Sequence, residues 1–340
     1  TMIAGCERML ARRNDQLDKL FLYIDEATLP VWPSLQQKWS INNKAVPFTN
    51  LLMTANILQP IAYTAWLIAH DPSLTEAINK NGQSYRMKAQ HFLAETEVTL
   101  KHFALSPLWL NPNTQLFQHA NTLRMTHIEE VPHYKIGQPV AFNRGLTMAS
   151  VMHYVAASHR KFDQKKATAS HYEDIIRQQL AFFKRHSLIR EEKTSTHTIK
   201  LRQWNFDANQ HQGVPSQPED IFHGGLVAAA LVILYNDGKN PYELNEGLMQ
   251  QVAASYLYQF KHDNNQQTPH AFYEYINATG KALTEQRRLS NLRWCELALY
   301  NKDIWQSSCG PQLTDTGITL RDGSYYAYGL AIRHRLNDIL

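Results

Sequence analysis

The chain has 340 residues, 44% of them hydrophobic and 19% charged, with a formal net charge of +4. That composition supplies a full core and excludes a disordered chain. Fourteen prolines and 14 glycines scattered along the sequence exclude a coiled coil, and the small charge surplus, with no polybasic block, excludes a nucleic-acid-binding class.

A chain of this length holds two domains of roughly 100–200 residues or one larger repeat-built domain. The helix pattern below favours a single domain over 1–340. The longest apolar run, 224–235, has 12 residues, short of the roughly 18 that cross a bilayer, so no transmembrane segment is expected. Ile3-Ala4-Gly5-Cys6 has the form of a bacterial lipoprotein processing box, although only five residues precede the cysteine. The start of a first helix is the plainer reading. Three cysteines, Cys6, Cys295 and Cys309, have no metal-ligand spacing and leave room for one bridge, Cys295 to Cys309.

In chain order, a stretch apolar nearly all round at 48–69 is followed by an amphipathic one at 85–105. The alternation repeats with 142–157 and 171–186, and again with 221–235 and 246–262. A helix without a polar face must be enclosed by protein, whereas a one-sided helix wraps around others. The enclosed helices start near 48, 140, 219 and 289, about 70 to 90 residues apart, a coarse internal repetition. Pro47, Pro139 and Pro218 mark the first three starts. Strand signal is slight. The fold expected is all-α, an α/α toroid of alternating inner and outer helices; an irregular two-lobed helical protein is the second choice. Loops at 106–138, 204–217 and 263–288 lead into inner helices and would crowd one mouth of the ring.

Polar residues at the start of an apolar helix carry the chemical information, because burying them is costly without a partner. They are Asn143 and Arg144 in the second inner helix, Glu219, Asp220 and His223 in the third, and Arg287, Arg288, Asn291 and Arg293 in the fourth. Amide, imidazole and guanidinium groups converging in this way suit an anionic sugar. Glu219 completes a Ser-x-x-Glu capping box with Ser216 and is read as a cap. Asp220 and His223 share a helical face, so Asp220 would orient the imidazole. Glu219 and His223 also have metal-ligand spacing, but a site needs a further ligand, and neither a metal nor a cofactor is expected. His153 and Tyr154 lie deeper and are read as core. Tyr273 or Tyr275 faces the cleft if its loop covers it, and Trp66, Trp204 and Trp294 are candidate sugar-stacking platforms. No serine or cysteine nucleophile motif and no phosphate-cradling glycine loop is present. A carboxylate pair for glycoside hydrolysis, such as Asp220 with Glu274 or Glu296, is not singled out.

Pro218-Glu219-Asp220-Ile221-Phe222-His223-Gly224-Gly225 resembles a helix entrance found in toroidal polysaccharide lyases that act on uronic acid polymers. The segment 139–148 resembles an earlier helix start of that group, and 275–305 its late segment, with Arg293-Trp294 standing where Gly-Trp is common. The resemblance implies β-elimination. Asn143 and His223, with Arg288 or Arg293 nearby, would neutralise the uronate carboxylate, and Tyr273 or Tyr275 would serve as base and acid. Arg144, Asp220, Arg288, Arg293, Trp66 and Trp204 would bind the substrate, an anionic oligo- or polysaccharide. It also implies a bacterial periplasmic, outer-membrane lipoprotein or secreted location, with the cytoplasm left open. A glycoside hydrolase or uronate epimerase on the same scaffold, and a non-catalytic glycan-binding protein, are the other readings.

Overall fold

The computed structural model describes residues 2–17, 29–32, 34–41, 44–78, 82–120, 135–193, 198–208, 217–235, 241–261, 275–277, 279 and 289–305. The described residues are predominantly helical, as the sequence predicts, with two two-stranded antiparallel sheets among them. It packs as two compact units, Thr1–Ala181 and Phe182–Leu340.

The first unit contains helices α1 (Met2–Leu10), α2 (Leu51–His70), α3 (Pro72–Glu76), α4 (Tyr85–Thr99), α5 (Phe142–Lys161) and most of α6 (Lys166–His186), with a hairpin of β1 (Ser34–Ile41) and β2 (Lys44–Phe48). Local signals set the helix starts. Asn50 accepts from the Met53 amide, Asp71 from those of Ser73 and Leu74, and Ser84 from that of Met87, each satisfying a donor that the helix leaves unpaired. Helix α2 packs on α1, α4 and α5. Its buried residues, Leu51, Ala55, Leu58, Ile61, Ala62, Ala65 and Ile68, follow the helical period, while Asn56 and Tyr63 are exposed. The stretch expected to be enclosed all round is therefore one-sided. Among the described residues α2 is also the one helix long and apolar enough to cross a membrane, with a mean hydropathy of 1.3, but half of it is buried within the protein, as in a core helix.

Helix α5 matches the expectation of an enclosed helix, with nearly every residue from Phe142 to Ala156 buried. Its hydroxyls are satisfied along the helix: Thr147 donates to the Asn143 carbonyl, Ser150 to that of Thr147 and Ser158 to that of Tyr154. Ser150 also accepts from Gln59 on α2 at 2.9 Å. Cys6 sits inside α1 with its thiol enclosed against the Thr64 hydroxyl at 3.3 Å, and burial pushes its pKa up. It packs as a core residue of the first helix.

The second unit contains the end of α6, the hairpin β3 (Leu188–Lys193) and β4 (Thr198–Gln203), α7 (Ile221–Tyr235), α8 (Glu246–Lys261) and a 3-10 helix, Leu289–Leu299, where the fourth inner helix is expected. Strand β4 packs on α8, and the Ser255 hydroxyl donates to the Arg202 carbonyl at 2.7 Å. Trp294 is the centre of this unit. Tyr256 stacks on it at 4.9 Å, Trp204 lies on it at 6.4 Å, and Phe183 meets Trp204 edge-on. The Trp294 indole N–H donates to the Ile221 carbonyl at 2.8 Å. Gly224 and Gly225 make this approach possible, since a Cβ on Gly224 would lie 2.8 Å from the Trp294 ring. Cys295, beside it, is disulfide-bonded, and Cys309 lies outside the described residues.

Candidate functional site

Residues Pro218 to Asp220 form a short extended segment with chain on both sides. Asn205 pairs with Pro218, and the Glu219 amide donates to the Trp204 carbonyl at 3.1 Å. On the other side Asp220 pairs with Tyr275, and the Ile276 amide donates to the Glu219 carbonyl at 2.9 Å. Directly opposed residues in an antiparallel pair project to the same face, so Tyr275 and Asp220 are neighbours. The segment then turns into α7.

Asp220 is the cap of α7. Its Oδ1 accepts from the amides of Phe222 and His223 at 2.9 and 3.0 Å, and its Oδ2 binds Nδ1 of His223. Burial would raise the Asp220 pKa, but the bonds from the His223 ring and these amides outweigh it and hold the group below its ordinary value. Phe206 meets the imidazole edge-on at 5.3 Å. Held by a carboxylate on one side and a phenyl on another, the ring keeps 40% of its side chain exposed. The pairing of Asp220 with His223 is the one that the sequence predicts. Phe206 went unrecognised, because an aromatic in a loop carries no periodic signal.

Glu219 departs from its expected role. The helix begins at Ile221, which makes Asp220 the cap, and the Glu219 carboxyl is fully buried with neither oxygen completing a hydrogen bond. Burial, and then the negative charge of Asp220, push its pKa well above the ordinary carboxylate value. The Trp204 indole N–H favours the charged form, but it too completes no hydrogen bond within ordinary limits. One ligand atom each from Glu219, Asp220 and His223 lies within 4.8 Å of the other two.

The remaining candidates divide between the units. Tyr275 and Arg293 are half-buried in the second unit with Asp220 and His223. Trp204 is 3% exposed and Trp294 is enclosed, so neither offers a face to a sugar; both are core aromatics. Asn143, Arg144 and Trp66 belong to the first unit. Asn143 is 1% exposed, with no partner among the described residues for either polar atom of its side-chain amide. Trp66 is half-buried between Tyr63 and His70, with ring centroids 5.6 and 4.7 Å away, and its indole N–H has no partner. His153 and Tyr154 are buried, as read from the sequence. Tyr273, Glu274, Arg287 and Arg288 lie outside the described residues, as does the side chain of Asn291. Compared with protein-family models, curated proteins and solved structures, the chain matches none.

Proposed function

We propose that the chain is a polysaccharide lyase of α/α toroid architecture that cleaves a uronic-acid-containing polymer by β-elimination. The observation that carries this reading is the Asp220-held, partly exposed imidazole of His223 at a helix start, with Tyr275 registered directly across from Asp220. Elimination needs a donor at the uronate carboxylate and a base at C5. With Nδ1 bound to Asp220, Nε2 of His223 donates to the uronate carboxylate in the imidazolium form of the ring, and Arg293 adds positive charge to the same unit. Tyr275, ionised, takes the C5 proton. The electron pair forms the C4–C5 double bond, the C4–O4 bond breaks, and the phenol returns its proton to the departing O4. A disulfide at Cys295 supports an oxidising, extracytoplasmic location.

Incubation with a panel of polyuronates and glycosaminoglycans tests the reading. The wild-type chain should generate the ultraviolet absorbance of an unsaturated uronate. Tyr275→Phe should lower that rate at least about 100-fold while retaining binding, and Tyr273→Phe should not. New reducing ends without absorbance would make the chain a hydrolase. Binding without turnover would make it a glycan-capturing protein.

A further inference from the structure

Glu219 is the group that the elimination chemistry leaves unused. Its backbone is fixed on both sides, by Trp204 and by Ile276, so its position is set by the fold. It is 0% exposed, and among the described residues neither carboxyl oxygen completes a hydrogen bond of ordinary geometry, the Trp204 indole being the one side-chain donor that acts on it. Enclosed carboxyls of this kind persist in proteins where they are paired or coordinate a metal. Here the same enclosed carboxyl stands beside Asp220 and His223, with the three candidate ligand atoms within 4.8 Å of one another.

We infer that Glu219, Asp220 and His223 form a binding site for a divalent transition-metal cation of the Mn2+ or Zn2+ class. Bonds of about 2.0–2.2 Å put ligand atoms on such an ion roughly 3 to 4 Å apart, a separation that changes in side-chain torsion can reach from the present one. Two carboxylates balance the charge of a divalent ion, and the imidazole nitrogen favours Mn2+ or Zn2+ over Mg2+ and Ca2+, which prefer oxygen donors throughout. The cation takes the place of the hydrogen held between Asp220 Oδ2 and His223 Nδ1. The partial exposure of Asp220 and His223, 24% and 40% of their side chains, leaves room on that side for water or a substrate oxygen. The catalytic consequence rests on the lyase reading: the ion would neutralise the uronate carboxylate beside Tyr275. Cation binding itself does not depend on that reading.

The test uses the full chain, stripped with a chelator and dialysed, then titrated with Mn2+ and followed by calorimetry and by the electron paramagnetic resonance signal of free Mn2+. The expected result is one Mn2+ per chain, bound at least about tenfold more tightly than Mg2+ or Ca2+, with a rise in melting temperature. Glu219→Gln keeps the shape of the side chain and removes its charge. It should weaken Mn2+ binding at least about tenfold, yet melt no earlier than the stripped wild type, because it removes an unpaired buried carboxyl. Absence of Mn2+ and Zn2+ binding at millimolar concentration would overturn the site, and so would binding that is unchanged in Glu219→Gln. Binding that is lost in Glu219→Gln, with no unsaturated product from any uronan, would uphold the site and remove the lyase reading. Unsaturated product from a chain that binds no cation would do the reverse.

Discussion

Gly224 and Gly225 sit one turn into a helix that is otherwise strongly apolar, where glycine costs about 1 kcal/mol relative to alanine. Their reason is Trp294. A Cβ on Gly224 would meet the Trp294 ring at 2.8 Å and the Ile276 side chain at 3.1 Å, neither of which can retreat from a filled core. Gly224→Ala should therefore destabilise the second unit by about 1–3 kcal/mol despite its better helix propensity, measured as a lower midpoint in denaturant. An unchanged midpoint would mean that Trp294 is less tightly held than its contacts indicate. The glycine pair was visible in the sequence, but not its purpose, because Trp294 lies about 70 residues away. The same limit governed Glu219. The Ser-x-x-Glu spacing suggested a cap at Ser216, but the helix starts at Ile221 with Asp220 as its cap, four residues later, and Glu219 is buried just ahead of it. The bond between Asp220 and His223 was legible because both groups lie within one helical turn.

Helices α4 and α5 are joined through one carboxylate. Glu97 on α4 binds Nε2 of His159 in the last turn of α5 at 3.1 Å, and the Lys165 ammonium just before α6. Burial would raise the Glu97 pKa, but hydrogen bonds from His159 and Lys165 outweigh it and hold the group below its ordinary value of 4.5. Its contribution to stability is thus complete above pH 4.5 and is lost as pH falls below that, through the lower folded value. Thermal melts at decreasing pH should show the first unit weakening over this interval, and Glu97→Gln should flatten the dependence. An equal slope in the variant would assign the acid sensitivity to other groups. Elements long enough to repeat the helical period were readable, with α7 found at its observed bounds and α5 and α8 extending close to theirs. The hairpins were not. Strand β4 offers a two-residue period only through Ile199 and Leu201, and β3 is exposed along almost its whole length, with Leu188 and Ile189 at 70% and 52%. A strand without a buried face leaves no pattern to read.

At the scale of the whole molecule, the two units differ in what holds them. The first relies on helices packed around α2, and the second adds a disulfide at Cys295 next to its central tryptophan. Reduction should lower the melting temperature of the second unit by the equivalent of about 2–5 kcal/mol and leave the first unchanged; no shift under full reduction would make the bridge incidental. The lyase account depends on neither unit's stability but on chemistry at one helix start. Its most direct test is ultraviolet absorbance over time with purified chain and a panel of polyuronates and glycosaminoglycans. The account predicts a rising signal from a C4–C5 double bond on at least one polymer, abolished in Tyr275→Phe and retained in Tyr273→Phe. A flat trace on every uronan, or a rise that is undiminished in Tyr275→Phe, would contradict it.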